Sequence, residues 1–273
     1  MKHSFFNDTP HIMGIVNVTP DSFSDGGQYF SPDAAIEHGL SLIEQGAHSL
    51  DIGGESTRPG SNPVSPEEEI RRIVPVIEGL RDKVTHISVD TRYPQTMEAA
   101  LQAGAGIIND ISGLTHDPRS VDIIAEHQVP VIVMHMQGQP KSMQEKVNYN
   151  NVMDDVMAFF EGRLEIFGRK RIEKELLVFD PGIGFGKNDE HNLLIIRNIK
   201  EFLHFDVPLL LGTSRKSFIS RITGDTPVDK RLPGSLASVL WGLDHGVQFF
   251  RVHDGAETHQ AFTIHNAIKN AGE

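Results

Sequence analysis

Residues 86–110 read HISVDTRYPQTMEAALQAGAGIIND, and this stretch decides the fold. A short apolar run, His86 to Val89, closes on Asp90. Pro94 then opens a stretch with helical periodicity that lasts to Ala103, and a second apolar run, Gly106 to Asn109, follows the glycines. Pro at the first turn and Gly just past the last fit a helix start and stop. The unit therefore reads strand, helix, strand.

The same unit recurs in both directions. Apolar runs stand at His11 to Val18, His48 to Ile52, His86 to Val89, Gly106 to Asn109, Pro130 to Met134, Leu176 to Phe179, Pro208 to Leu211 and Val247 to Val252. Amphipathic stretches between them include Pro32 to Gln45, Pro66 to Arg81 and Asn151 to Arg169. Strict alternation implies parallel strands with crossover helices, covered on both faces. A closed barrel and an open doubly wound sheet both satisfy this pattern. Eight runs in 273 residues favour one α/β domain over 1–273, a single (β/α)8 TIM barrel, because a parallel sheet of eight strands closes on a core filled by side chains. The polar segment Gln137 to Asn150 reads as an extended connection after the fifth strand.

Composition narrows the functional classes. The formal charge of -12 argues against a nucleic-acid surface, which needs clustered Lys and Arg. The chain has no cysteine, so disulfides, thiolate metal sites and sulfur nucleophiles are excluded. The opening MKHSFFNDTP lacks the apolar stretch of a secretory signal, and no run is long enough to span a bilayer. The expectation is a soluble cytoplasmic protein.

In such barrels the chemistry sits at the carboxyl ends of the strands. Asn17, Asp51, Asp90, Asn109-Asp110, Asp180 and Arg251-Val252-His253-Asp254 occupy those ends, and the seventh run leads into Arg215-Lys216-Ser217. One such Asp or Asn is as well explained as a helix cap. The set is not, since Asp51 and Asp180 precede glycine-rich loops rather than helices. Converging carboxylates and amides suit a flat heterocycle that offers N–H donors and ring-nitrogen acceptors. Lys216, Arg251 and His253 follow strands seven and eight, where barrels commonly hold phosphate, and form a candidate anion pocket; the plainer reading is a salt-bridged surface. The stretch Gly182-Ile183-Gly184-Phe185-Gly186-Lys187 is not a nucleotide loop, because the glycine spacing is wrong and Asn188 follows the lysine. Its glycines instead let backbone approach a planar ligand, with Phe185 presenting its ring. His135 has no second His at metal-ligand spacing, and Met134 beside it is suited to packing on a ring.

Long segments resemble dihydropteroate synthase: residues 14–27 (GIVNVTPDSFSDGG), residues 51–60 (DIGGESTRPG), Asp180-Pro181-Gly182 and Ser214-Arg215-Lys216-Ser217, with Ser88-Val89-Asp90-Thr91, Asn109-Asp110-Ile111-Ser112-Gly113 and Arg251-Val252-His253-Asp254 in order. The resemblance implies that Asp90, Asn109, Asp180 and Lys216 hold a pterin ring, with Met134 packing on it and Asp51 in the same site. It implies that Asn17 contacts magnesium (Mg2+) and diphosphate, and that Arg58, Arg251 and His253 bind phosphate. Residues 19–27 and 56–60 correspond to two loops that close over the substrates, and Phe23, Thr57, Pro59, Phe185, Lys216 and Ser217 form the p-aminobenzoate pocket. The implied reaction joins the pterin diphosphate to 4-aminobenzoate in folate biosynthesis, with Asp25, Asp90 and Lys216 as candidate catalytic residues. The family is the sulfonamide target and forms homodimers. Two rivals share the ring-binding set: a pterin-dependent methyltransferase, which needs neither loop motif, and a catalytically silent pterin-binding homologue, in which Asn17, Arg58, Lys216 or His253 would have decayed.

Overall fold

The computed structural model describes residues 4–6, 10–19, 31–56, 60–145 and 147–272. Eight strands, β1 (His11–Asn17), β2 (Ser49–Gly53), β3 (Ile87–Asp90), β4 (Ile107–Asp110), β5 (Val131–Met134), β6 (Leu177–Asp180), β7 (Leu210–Leu211) and β8 (Phe249–Val252), form one parallel sheet in the order β6-β5-β4-β3-β2-β1-β8-β7. The ends of that order meet through Phe179 and Leu209, where Phe179 N–H donates to Pro208 C=O at 2.8 Å. The sheet is therefore a barrel, as the eight runs predict. Strand β7 is shorter than its run. Pro208 has no N–H to give a ladder and contributes only its carbonyl to β6.

Helices α1 (Pro32–Glu44), α2 (Pro66–Leu80), α3 (Pro94–Ala103), α4 (Arg119–His127), α5 (Val152–Arg169), α6 (Asp189–Arg197), α7 (Ser217–Ile222), α8 (Leu232–Asp244) and α9 (Gly255–Lys269) surround it. Three begin on the prolines named above. Asn151 lies outside α5 and caps it, its side chain accepting from Met153 N–H at 3.0 Å. No described helix is long and apolar enough to cross a membrane.

Period-two alternation divides each strand between two cores. The outward residues, among them Ile12, Val16, Leu50, Ile52, Val89, Ile108, Val133, Phe179 and Phe250, pack under the helices. The inward residues Met13, Ile107, Ile132, Val178, Leu210 and Phe249 form a separate layer inside the barrel. Phe5 plugs it from below, its ring 4.8 Å from that of Phe249. Two positions further along these strands, on the same inward face, come Ile15, Asn109, Met134, Asp180, Gly212 and Arg251. The apolar floor thus gives way to a polar layer within one pleat.

Candidate active site

That polar layer is joined by hydrogen bonds across the barrel. Arg251 donates through Nε to Asp51 Oδ2 at 2.6 Å and through Nη2 to Asp90 Oδ2 at 2.9 Å, and Asn109 Nδ2 donates to the same Asp51 oxygen at 2.9 Å. Four strands, β2, β3, β4 and β8, so converge on one cluster. Asp51 is wholly buried, and its Oδ1 has no partner among the described residues. A buried carboxylate tolerates this only with a guanidinium beside it.

Burial pushes Asp90 up to about 7, with Arg251 opposing and Asp51, Glu69 and Asp110 adding to the rise. Asp110, directly after Asn109, is pushed up to about 6 by burial, against the Ser112 hydroxyl and N–H that it accepts. Burial likewise raises Asp180, opposed first by the Gly182 N–H on its Oδ1 at 2.8 Å and then by Lys216. All three carboxyls are shifted towards the neutral form by burial, so a ligand offering N–H donors would draw them to the charged form.

One wall beside the carboxylates is apolar. Ile111, Met134, Met143 and Phe185 pack together, with Met136 at their edge. Lys216 Nζ stands 4.1 Å over the Phe185 ring, and Phe185 is buried. Burial lowers this lysine to about 8, Arg251 lowers it further, and Asp180 and Asp90 oppose the change. Ser217, the next residue, begins α7 and is exposed. Asp180 and Lys216 thus face one another across the join of β6 and β7. The segment after β5 is more than a connection: Met143 completes the wall, and Gln144 Nε2 donates to Gly184 C=O at 2.9 Å.

The candidate anion pocket has a different character from the one its charges imply. Two of the guanidinium nitrogens of Arg251 are committed to carboxylates, so an anion there shares its charge with Asp51 and Asp90. Burial lowers His253 to about 3, with Arg251 and Arg215 adding to the effect, and the imidazole is neutral. Its backbone N–H donates to Ser214 Oγ at 3.1 Å, and the same hydroxyl shares a hydrogen bond with Nδ1 at 3.0 Å. In the tautomer where Ser214 donates to Nδ1, Nε2 carries the ring proton and is a neutral donor. Arg215, adjacent to Lys216, is paired with Asp254 through Nε at 3.0 Å. Asn17 ends β1, half-buried at the rim. Asp25, Phe23, Thr57, Arg58 and Pro59 lie outside the described residues.

Two features escaped sequence reasoning. Lys187, set aside with the failed nucleotide loop, is fully buried and donates to His135 Nδ1, Gly182 C=O and Phe185 C=O at 2.9, 3.0 and 3.1 Å. Behind β3, Arg92 pairs with Glu55 at 2.9 Å, and Thr91 Oγ1 donates to Glu69 at 2.6 Å, both buried. Only the three alternating glycines before Lys187 signalled a tightly packed backbone there.

Buried carboxylates and an amide at the strand ends, an apolar wall and a lysine at its edge define a barrel enzyme built to hold a flat nitrogen heterocycle. The pterin binding enzyme family matches this chain over residues 13–253. Dihydropteroate synthase of Escherichia coli K12 is 44% identical over 265 residues, covering 97% of this chain and 93% of that protein. Xanthomonas albilineans dihydropteroate synthase, solved with 4-aminobenzoic acid, superposes with a TM-score of 0.90 at 43% identity, covering 97% and 94% of the two chains. Yersinia pestis dihydropteroate synthase, solved with a sulfonamide drug complex, gives 0.90 at 42%, covering 96% and 95%. The chain belongs to the dihydropteroate synthase family, transferases of folate synthesis.

Proposed function

We propose that the protein condenses (7,8-dihydropterin-6-yl)methyl diphosphate with 4-aminobenzoate, releasing diphosphate and 7,8-dihydropteroate. The observation that carries this reading is the convergence of Asp51, Asp90, Asn109 and Asp180 beside a wall that ends in Lys216 over Phe185. The carboxylates accept the N–H groups of the ring edge, Asn109 offers an amide, and Met134 covers the face. Lys216 stands between this set and the arylamine side, where Phe185 and Ser217 lie. Arg251 and His253 face the diphosphate.

Among the described residues no group of three or more His, Asp or Glu is placed to hold a metal ion. The chain's oxygen donor for magnesium is Asn17, and a hard cation that retains waters and travels on phosphate oxygens needs no more from the protein. We place Mg2+ there with the substrate; when bound it neutralises charge on the leaving diphosphate. The chain's own residues do the rest. Arg251 and the Nε2–H of His253 stabilise the departing oxygens, while Asp90, ionised in contact with the ring, stabilises positive charge developing at the pterin methylene. No base is needed before the diphosphate leaves, so a dissociative, cation-like substitution fits the site. Asp25 is the second carboxylate proposed for that cation. We also propose a cytoplasmic homodimer; Ile264 and Ile268 on α9, 57% and 72% exposed, support a covered outer face.

The test is diphosphate release and dihydropteroate formation by purified protein given the pterin diphosphate and magnesium, with and without 4-aminobenzoate. Product is expected only with both substrates, with slow diphosphate release when the amine is omitted. Pterin binding without product would favour the silent homologue, and release strictly dependent on the amine would replace the cation by a concerted displacement.

A further inference from the structure

Lys187 is a charged side chain with no exposure, and the chemistry above makes no use of it. Its ammonium is surrounded by His135 Nδ1 at 2.9 Å, Gly182 C=O at 3.0 Å, Phe185 C=O at 3.1 Å and His135 C=O at 3.3 Å. None of these partners is a carboxylate. Burial lowers the lysine to about 7, while Asp180 nearby supports its charge. A buried cation held by backbone carbonyls on both sides of a turn fixes the shape of that turn.

The turn is shaped to need it. Gly182 and Gly186 have φ of +69° and +61°, and a side chain would place Cβ 2.0 Å from His135 C=O and 2.3 Å from Gln137 C=O. The loop therefore lies flat against the backbone leaving β5, its carbonyls turned inward onto Nζ. On its outer side, Gly184 N–H donates to Asn192 Oδ1 at 2.7 Å, and the Phe185 ring supports Lys216. The pin thus lies directly behind the residues that meet the arylamine, whereas the Asp180 backbone is paired in the β5–β6 ladder and its side chain meets the loop only at the Gly182 N–H.

We propose that Lys187 is a positioning residue for the arylamine side of the site, acting through the 182–186 loop on Phe185 and Lys216. The proposal rests on the assignment of those two residues to the arylamine. Removing the three donors releases the Phe185 carbonyl, and the ring beneath Lys216 loses its fixed place.

The experiment compares Lys187→Met with wild type in steady-state kinetics, varying each substrate at saturation of the other, with pterin binding by calorimetry and thermal melting as checks on the fold. The KM for 4-aminobenzoate should rise roughly tenfold while that for the pterin diphosphate stays within about twofold. Asn192→Ala, which frees the same loop at Gly184 without touching Lys187, should shift the arylamine KM in the same direction and carries the test if Lys187→Met does not fold. Equal rises in both KM values, or lost pterin affinity with an unchanged arylamine KM, would overturn the proposal; the second result would make Lys187 a partner of Asp180. A wild-type protein with no synthase activity would instead remove the functional reading beneath it.

Discussion

Asp180→Asn is the sharpest probe of the ring-binding layer, because the structure dictates which way the new amide points. Gly182 N–H donates to Oδ1 at 2.8 Å, and only the amide oxygen can accept it. The amide NH2 must then take the place of Oδ2, presenting donors where the ring presents its own. Asp180 is 6% exposed, so water does not restore what is lost. The charge-assisted hydrogen bond at Oδ2, contributing roughly 1.5–3 kcal/mol, becomes a donor–donor contact that leaves both donors unpaired, and any bond at Oδ1 loses its charge. The expected loss is about 3 kcal/mol at least, or a factor of about 100 in pterin affinity. Calorimetry with the pterin substrate measures it, and unchanged melting confirms the fold. Affinity within about threefold of wild type, with the melt unaltered, would refute the placement of Asp180 on the ring.

Arg251→Met leaves Asp51 and Asp90 buried without a counter-ion and should lower stability by about 3–5 kcal/mol at pH 8. Asp90 already lies near 7 when folded, above its unfolded value, so the folded form gains protons as pH falls; the variant should recover stability below that point, and equal urea losses at pH 6 and pH 8 would contradict this. Lys216, held at about 8, loses its charge as pH rises, so kcat/KM for the pterin should fall on that limb, and Lys216→Arg should move the limb upward. The His253 ring should show no NMR titration between pH 5 and 8, because its proton is gained only near 3; a midpoint near 6 would mean that the imidazole binds phosphate as a cation.

The barrel was legible because its signal is local. Residues 94–103 begin on Pro and end before Gly, and α3 has those bounds. The polar layer was legible for the same reason: a strand that ends in Asp or Asn carries its functional group wherever the sheet closes. Pairing was not legible. Nothing in the spacing of Asp51 and Arg251, 200 residues apart, says that the arginine faces carboxylates as well as an anion. The low pKa of His253 depends on burial and then on the charges of Arg251 and Arg215 beside it, and the burial is a product of closure. Lys187 was passed over because the pattern applied to it described a ligand's phosphates, whereas its acceptors are the chain's own carbonyls.

The short strand β7 has a consequence for how the molecule fails. A hoop closed by one brief overlap parts there first, and this overlap lies between Asp180 on one side and the turn leading to Lys216 on the other. Warming or mild denaturant is therefore expected to widen the substrate slot while the floor, wedged by Phe5, still holds its shape. Activity should then be lost at a lower denaturant concentration than the global melt, and a tight ligand bridging the slot should act as a clasp on the whole ring.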